Sequence, residues 1–130
     1  PRNQVADDRG CAADVIGIPM GHGQHVESGE PAAVLEGIAG ALRDDGVYLM
    51  QDIAGSSYLQ NNMDHPVAPF IYTVSTMHCT PVSLAQGGIG LGPRWGVELA
   101  GEMLGKAGFG KVQMTRLPHD PFNAYFVARV

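Results

Sequence analysis

Four residues, Pro118-His119-Asp120-Pro121, separate the apolar-rich run Lys111–Leu117 from a second run, Phe122–Arg129. If both runs are strands, the link between them fixes their relation. A parallel return needs a crossover of a dozen or more residues, so a link this short joins antiparallel neighbours. The chain is therefore expected to end in an antiparallel β-hairpin.

The first half of the chain carries a different pattern. Asp14–Ile18 is a short apolar run of the kind that forms a buried parallel strand. Pro31 suits a first helical position, where no backbone donor is lost. From Pro31 to Arg43 the apolar residues Val34, Leu35, Ile38, Ala41 and Leu42 fall on one helical face. Asp44-Asp45-Gly46 then turns into Val47–Ile53, which reads as the next buried strand. Strand, helix and strand at this spacing predict a parallel βαβ unit with a right-handed crossover. Residues 1–13 are polar and without period, and are expected to form an irregular leader.

Between the two patterns lies a segment that follows neither. Residues 54–93 hold one charged side chain, Asp64, and end in the glycine-rich run Gly87-Gly88-Ile89-Gly90-Leu91-Gly92. A connection of that length points to a functional lid or cap, with a helix around Phe70–His78 and the glycines as its hinge. No strand precedes the glycine run and no Lys-Ser/Thr follows it, which argues against a phosphate loop. Arg94–Ala107 reads as a second amphipathic helix, with Trp95, Leu99, Met103, Leu104 and Ala107 inward. Lys106 suits its last turn and Gly108 its C′ position.

Composition narrows the partners. Apolar residues make up 45% and charged residues 16%, which fits a globular domain, here a single one over residues 1–130. The net charge is −5 and the eight basic residues are scattered from Arg2 to Arg129, which argues against nucleic acid. No apolar run approaches the roughly 20 residues of a membrane span. Cys11 and Cys79 form no C-x-x-C pair; free thiols in a cytoplasmic protein are the simpler reading and a disulfide between them the other.

Several strings carry a family resemblance over about residues 31–130. Leu49-Met50-Gln51-Asp52-Ile53, Asp64-His65-Pro66, Tyr72, Met77-His78-Cys79 and Val82-Ser83-Leu84-Ala85-Gln86-Gly87-Gly88 are the first set. Lys106-Ala107-Gly108-Phe109 and His119-Asp120-Pro121-Phe122-Asn123 complete it. Together they resemble class I S-adenosylmethionine-dependent methyltransferases, in particular a bacterial subfamily with an N-terminal winged-helix segment. The resemblance implies an α/β, partial Rossmann-like fold: parallel βαβ, helical lid, helix and terminal antiparallel hairpin. It also implies methyl transfer to a small-molecule acceptor, with this chain as the acceptor-side C-terminal part. Residues matching the family's glycine-rich cofactor loop and its ribose-binding acid are absent from the sequence, so the cofactor-binding half is expected to lie outside it.

Methyl transfer is an in-line displacement, so catalysis is positioning plus removal of a proton from the acceptor. His78 is the expected general base and Tyr72 its catalytic neighbour; the competing reading makes His78 a hydrogen-bonded structural residue. Ligands of open α/β sheets sit beyond the carboxyl ends of the strands, where Asp52 lies. Asp52, His65 and Met77 are expected in the substrate pocket, although Asp52 could equally cap the loop after it. The resemblance assigns Ile18 and His22 to the cofactor. His22, His25 and His119 have no metal-ligand spacing, so no metal is expected. A non-catalytic scaffold or dimerisation module is the alternative, and a homodimer is expected if a sheet edge is left unpaired.

Overall fold

The structure, a computed structural model, describes residues 4–6, 12–14, 31–92 and 95–130. Two short strands come first, β1 (Gln4–Ala6) and β2 (Ala12–Asp14), paired antiparallel with Gln4 opposite Asp14. Of the leader expected to be irregular over 1–13, residues 4–6 and 12–13 are therefore strand, and the rest lies outside the described residues. Five residues, 7–11, lie between the two strands, a separation that a hairpin allows. The pairing also corrects the start of the βαβ unit: Asp14 belongs to this antiparallel ribbon, while Val15–Ile18 lie outside the described residues.

Helix α1 (Pro31–Ala41) buries Leu35, Ile38 and Ala39. It leads through the Arg43–Gly46 turn to β3 (Tyr48–Ile53), the first strand of a three-stranded sheet. The other two strands are β4 (Lys111–Leu117) and β5 (Asp120–Arg129), in the order β3-β5-β4. Both neighbours of β5 run antiparallel to it, with Tyr48 opposite Ala128 and Met50 opposite Phe126 on one side and Val112 opposite Ala128 on the other. It follows that β3 and β4 run parallel to each other with the last strand inserted between them. The terminal hairpin is as the short link requires. Within the described residues every strand pairing is antiparallel, so the fold is mixed helix and sheet, and the parallel relation exists only across β5.

Alternation along these strands separates the two faces of the sheet. Tyr48, Ala124, Phe126 and Ala128 point to the same side and are buried. Over them lie α1 and α4 (Val97–Lys106), which contributes Ala100 and Leu104. Alanine at 124 and 128, on either side of Phe126, lets the helices come close while the phenyl ring fills the space between. Tyr48 stacks on Phe109 with ring centroids 5.6 Å apart, and burial pushes its phenol pKa up. On the opposite face Leu49, Gln51 and Gln113 are exposed.

Both ends of α4 are fixed by specific bonds. Its carboxyl end is a Schellman turn: Gly108 has φ 104°, its N–H donates to Gly105 O, and the Phe109 N–H donates to Leu104 O. Glu102 and Lys106 pair at 2.6 Å one turn apart. At the amino end the cap comes from a distant residue. Gly96 has no side chain to offer, and a Cβ there would collide with the Ser57 backbone. The Ser57 hydroxyl accepts from the Leu99 N–H at 3.0 Å, while Glu98 accepts from the Ser57 N–H at 2.6 Å and the Ser56 hydroxyl at 2.8 Å. This is a capping box built across 40 residues of sequence.

The segment between β3 and α4 folds as a 3₁₀ turn (Leu59–Asn62) and then a nearly continuous helix. The helix comprises α2 (Ala68–Val74), a π turn (Ser75–Cys79) and α3 (Thr80–Ala85). It is longer than the expected 70–78. Pro81 explains the π turn: in a regular helix its ring would clash with the carbonyl of Met77, and its missing N–H would leave that carbonyl unpaired. At the tip of the hairpin, Asp120 accepts from Phe122 N–H, Asn123 Nδ2 and Tyr125 Oη, the last at 2.6 Å. A register shift between Thr115 and Leu117 accommodates this turn.

Candidate functional site

The carboxyl end of β3 is where the chemistry-bearing side chains begin. Asp52 is half-buried and sits on the helix-covered side, in register with Ala124. Burial pushes its carboxyl pKa up, opposed by the Ile53 N–H, which donates to Oδ1 at 2.7 Å, and by the Trp95 indole. The Trp95 Nε1–H is buried and has no acceptor at hydrogen-bonding geometry. The Asp52 bond to Ile53 stays within β3, so the capping of the following loop, one of its two expected roles, is not seen; Asp52 is a partly desolvated acid at the strand's carboxyl end.

Beyond β3 the chain bends around Asn62, which is 3% exposed. Its Oδ1 accepts from the Ser56 N–H at 2.9 Å, and its Nδ2 donates to Ser56 O, Tyr58 O and Tyr72 Oη at 2.8, 3.0 and 2.9 Å. One amide thus ties the loop after β3 to α2. His65 joins the same knot through the backbone: its N–H donates to Asn62 O and its carbonyl accepts from Ala68. The His65 ring accepts from the Val67 N–H at a long 3.4 Å through Nδ1. Tyr72 and His65, both expected at the site, are brought together here, with Asn62 as the residue that organises them.

Next to Tyr72 lies a cleft of about 190 Å³ lined by Leu59, Asn62, Met63, Ala68, Pro69 and Tyr72. Its wall is apolar apart from the tyrosine and the asparagine. His78 and Met77 stand on the π turn, both exposed, Met77 at 78%. Cys79 beside them is half-buried and carries a free thiol. Ile18 and His22, assigned to the cofactor by resemblance, lie outside the described residues, as does His25.

The glycine run does not form a hinge of open backbone. Gly87, Gly90 and Gly92 have positive φ, and the run folds back on its own helix. Gly88 N–H donates to Ser83 O at 2.8 Å and Gly90 N–H to the Ser83 hydroxyl at 3.2 Å. A Cβ at Gly92 would meet the hydroxyls of Ser75 and Thr80. The glycines are there to let the chain pack against three small polar side chains.

Asn62, Ser56, Ser57 and Glu98 are the site residues that sequence reasoning missed. Glu98 had one local signal, an acid in the first turn of a helix. Burial alone would raise its pKa, but the bonds from Ser57 and Ser56 hold it below the usual carboxylate range. Asn62 had a fainter one, an amide pair Asn61-Asn62 within an otherwise almost uncharged segment. Among the described residues no group of three or more His, Cys, Asp or Glu could hold a metal ion, and no helix is long and apolar enough to cross a membrane. No family model and no curated protein matches the chain.

Proposed function

We propose that the chain is the acceptor-side part of a Rossmann-like, S-adenosylmethionine-dependent methyltransferase acting on a small molecule. The observation that carries this reading is topological. β3 and β4 run parallel, the path between them passes through the long segment and α4, and β5 returns antiparallel between them. That is the helix-then-hairpin ending the family resemblance implies. The parallel arrangement points the carboxyl ends of β3 and β4 the same way, toward the side where α/β sheets bind ligands.

The described residues do not by themselves make a site for the cofactor. The only glycine-rich run among them packs against Ser75, Thr80 and Ser83, and the Asp52 carboxylate is engaged by Ile53. The chemistry assigned to this chain is therefore that of the acceptor. The Tyr72 hydroxyl, which accepts from Asn62 Nδ2, stands at the wall of the apolar cleft assigned to the acceptor. His65 and Asp52 flank the loop that holds that cleft, and Met77 and His78 stand on the helix beyond it. His78 is the group assigned to take the acceptor's proton.

Catalysis by this chain requires residues beyond the described ones to complete a cofactor site, and calorimetric titration of S-adenosylhomocysteine into the purified chain tests that requirement. Saturable binding with a Kd in the range of about 1–100 μM supports it. A folded chain that releases no binding heat and shows no shift in melting temperature contradicts it, and leaves a non-catalytic scaffold.

A further inference from the structure

The 18 positions of the helix from Ala68 to Ala85 include no Asp, Glu, Lys or Arg. A helix at the surface ordinarily carries charge on its outward stripe, and one that is apolar all round is ordinarily covered. Here the outward residues are left bare. Phe70 is 71% exposed, Met77 78% and Met63, just before the helix, 71%, with Leu59, Val82 and Leu84 also exposed. Phe70 and Met77 are two turns apart and share one stripe; the π turn, one residue wider than an α turn, carries Val82 onto the same side.

We propose that this face is a two-fold dimerisation surface, in which Phe70 of each copy enters the Leu59–Tyr72 cleft of the other. Three observations select a second copy as the occupant. The first is size: an apolar cavity of about 150 Å³ holds a benzene ring, and the cleft measures about 190 Å³. The second is geometry: Pro69 lines the cleft and Phe70 is its neighbour, so knob and hole lie side by side. A two-fold axis passing beside them exchanges both at once, as an isologous interface demands. The third is area and charge. The six exposed side chains named above offer on the order of 700 Å², against about 800 Å² per partner in a standard interface. Each copy carries a net charge of −5, whereas the helix face holds no charge and Asp64, next to Met63, is the one acid at its margin.

The proposal competes with the acceptor reading for the cleft, since a Phe70 ring of a second copy and a small molecule cannot occupy it together. It assigns self-association to the helix face rather than to the outer edge of β3.

Sedimentation equilibrium of the whole chain, with a Phe70→Lys/Met77→Lys variant alongside, tests it. The chain is expected to dimerise with a Kd at or below about 10 μM, and the variant to weaken this by at least about 100-fold. Both residues are exposed, so the variant's helix content and melting temperature are expected to hold. Mixing it with a Phe70→Glu/Met77→Glu variant is expected to restore a dimer through opposite charges. Monomer at about 100 μM, a dimer untouched by the substitutions, or open-ended aggregates would each overturn the proposal. So would a monomer that binds one small aromatic molecule in the cleft.

Discussion

Two helical regions of this chain meet solvent in opposite ways. α4 turns Ala100 and Leu104 to the sheet and shows Glu98, Glu102 and Lys106 outside, with both termini capped. The helix from Ala68 to Ala85 buries Ala68 fully and little else, and its outward face is Phe70, Thr73, Met77, Val82 and Leu84. The first is a finished surface, apolar within and charged without. The second leaves large apolar side chains bare among the described residues. A segment that keeps its hydrogen bonds in order around Asn62 yet leaves its apolar side bare is organised for contact, not for the stability of the isolated fold.

This contrast predicts where substitutions hurt. Phe126 is 1% exposed at the centre of the α1–sheet–α4 core. Phe126→Ala is expected to cost about 3–5 kcal/mol in denaturant unfolding and to lose the cooperative transition in a domain of this size. Removing the equally large Phe70, by contrast, is expected to leave the unfolding midpoint of the dilute protein almost unchanged. Equal losses for the two would mean that the helix belongs to the core after all.

A middle effect is expected at the joint between the two regions. Asn62→Ala takes the side-chain partner from the Ser56 N–H and the Ser56 carbonyl, while the Tyr58 carbonyl keeps the Asn61 N–H; the loss is expected to cost about 1–3 kcal/mol. The loss should appear as faster amide exchange over residues 54–72, with β4 and β5 still protected. Uniform loss of protection across the sheet would show that the joint is part of one cooperative unit.

The smallest effect is electrostatic. Burial raises the Asp52 carboxyl pKa in the fold, so the folded protein holds this proton to higher pH than the unfolded chain does. Stability contributed by the protonated acid is complete below the unfolded pKa and falls as pH rises through the folded one. Asp52→Asn keeps the acceptor for Ile53 and removes the charge. It is expected to raise stability at pH 7 by up to about 1 kcal/mol, with no gain once the wild-type acid is protonated. Glu98 has the opposite sign: its lowered pKa contributes stability above the ordinary carboxylate range that is lost on acidification. A wild-type chain no less stable than Asp52→Asn at pH 7 would contradict this account of Asp52.

Legibility in the sequence followed the range of the interactions. Lys106-Ala107-Gly108-Phe109 specifies its Schellman turn within four residues, and the short Pro118–Pro121 link fixes the hairpin; both are found as expected. β3 and α1 fall within two residues of their expected bounds because their apolar periods are local. The helix around Tyr72 was legible only in its middle, since its uncharged polar residues Thr73, Ser75, Thr76, Thr80 and Ser83 are mixed among the apolar ones without a clear 3.6-residue period. The cap of α4 was not legible, because Ser57 and Glu98 lie 41 positions apart. Tyr72 and His65 were singled out by their residue types; Asn62, which joins them, is an ordinary amide until its bonds to Ser56, Tyr58 and Tyr72 are seen in space.

Hydrogen–deuterium exchange of the whole chain, compared between dilute and concentrated solution, measures the contrast most directly. The account predicts that amides of residues 68–85 gain protection as concentration rises, while β3, β5 and α4 exchange at the same rates in both. Protection over 68–85 that is already equal to that of β5 at low concentration, or that does not change with concentration, would contradict it.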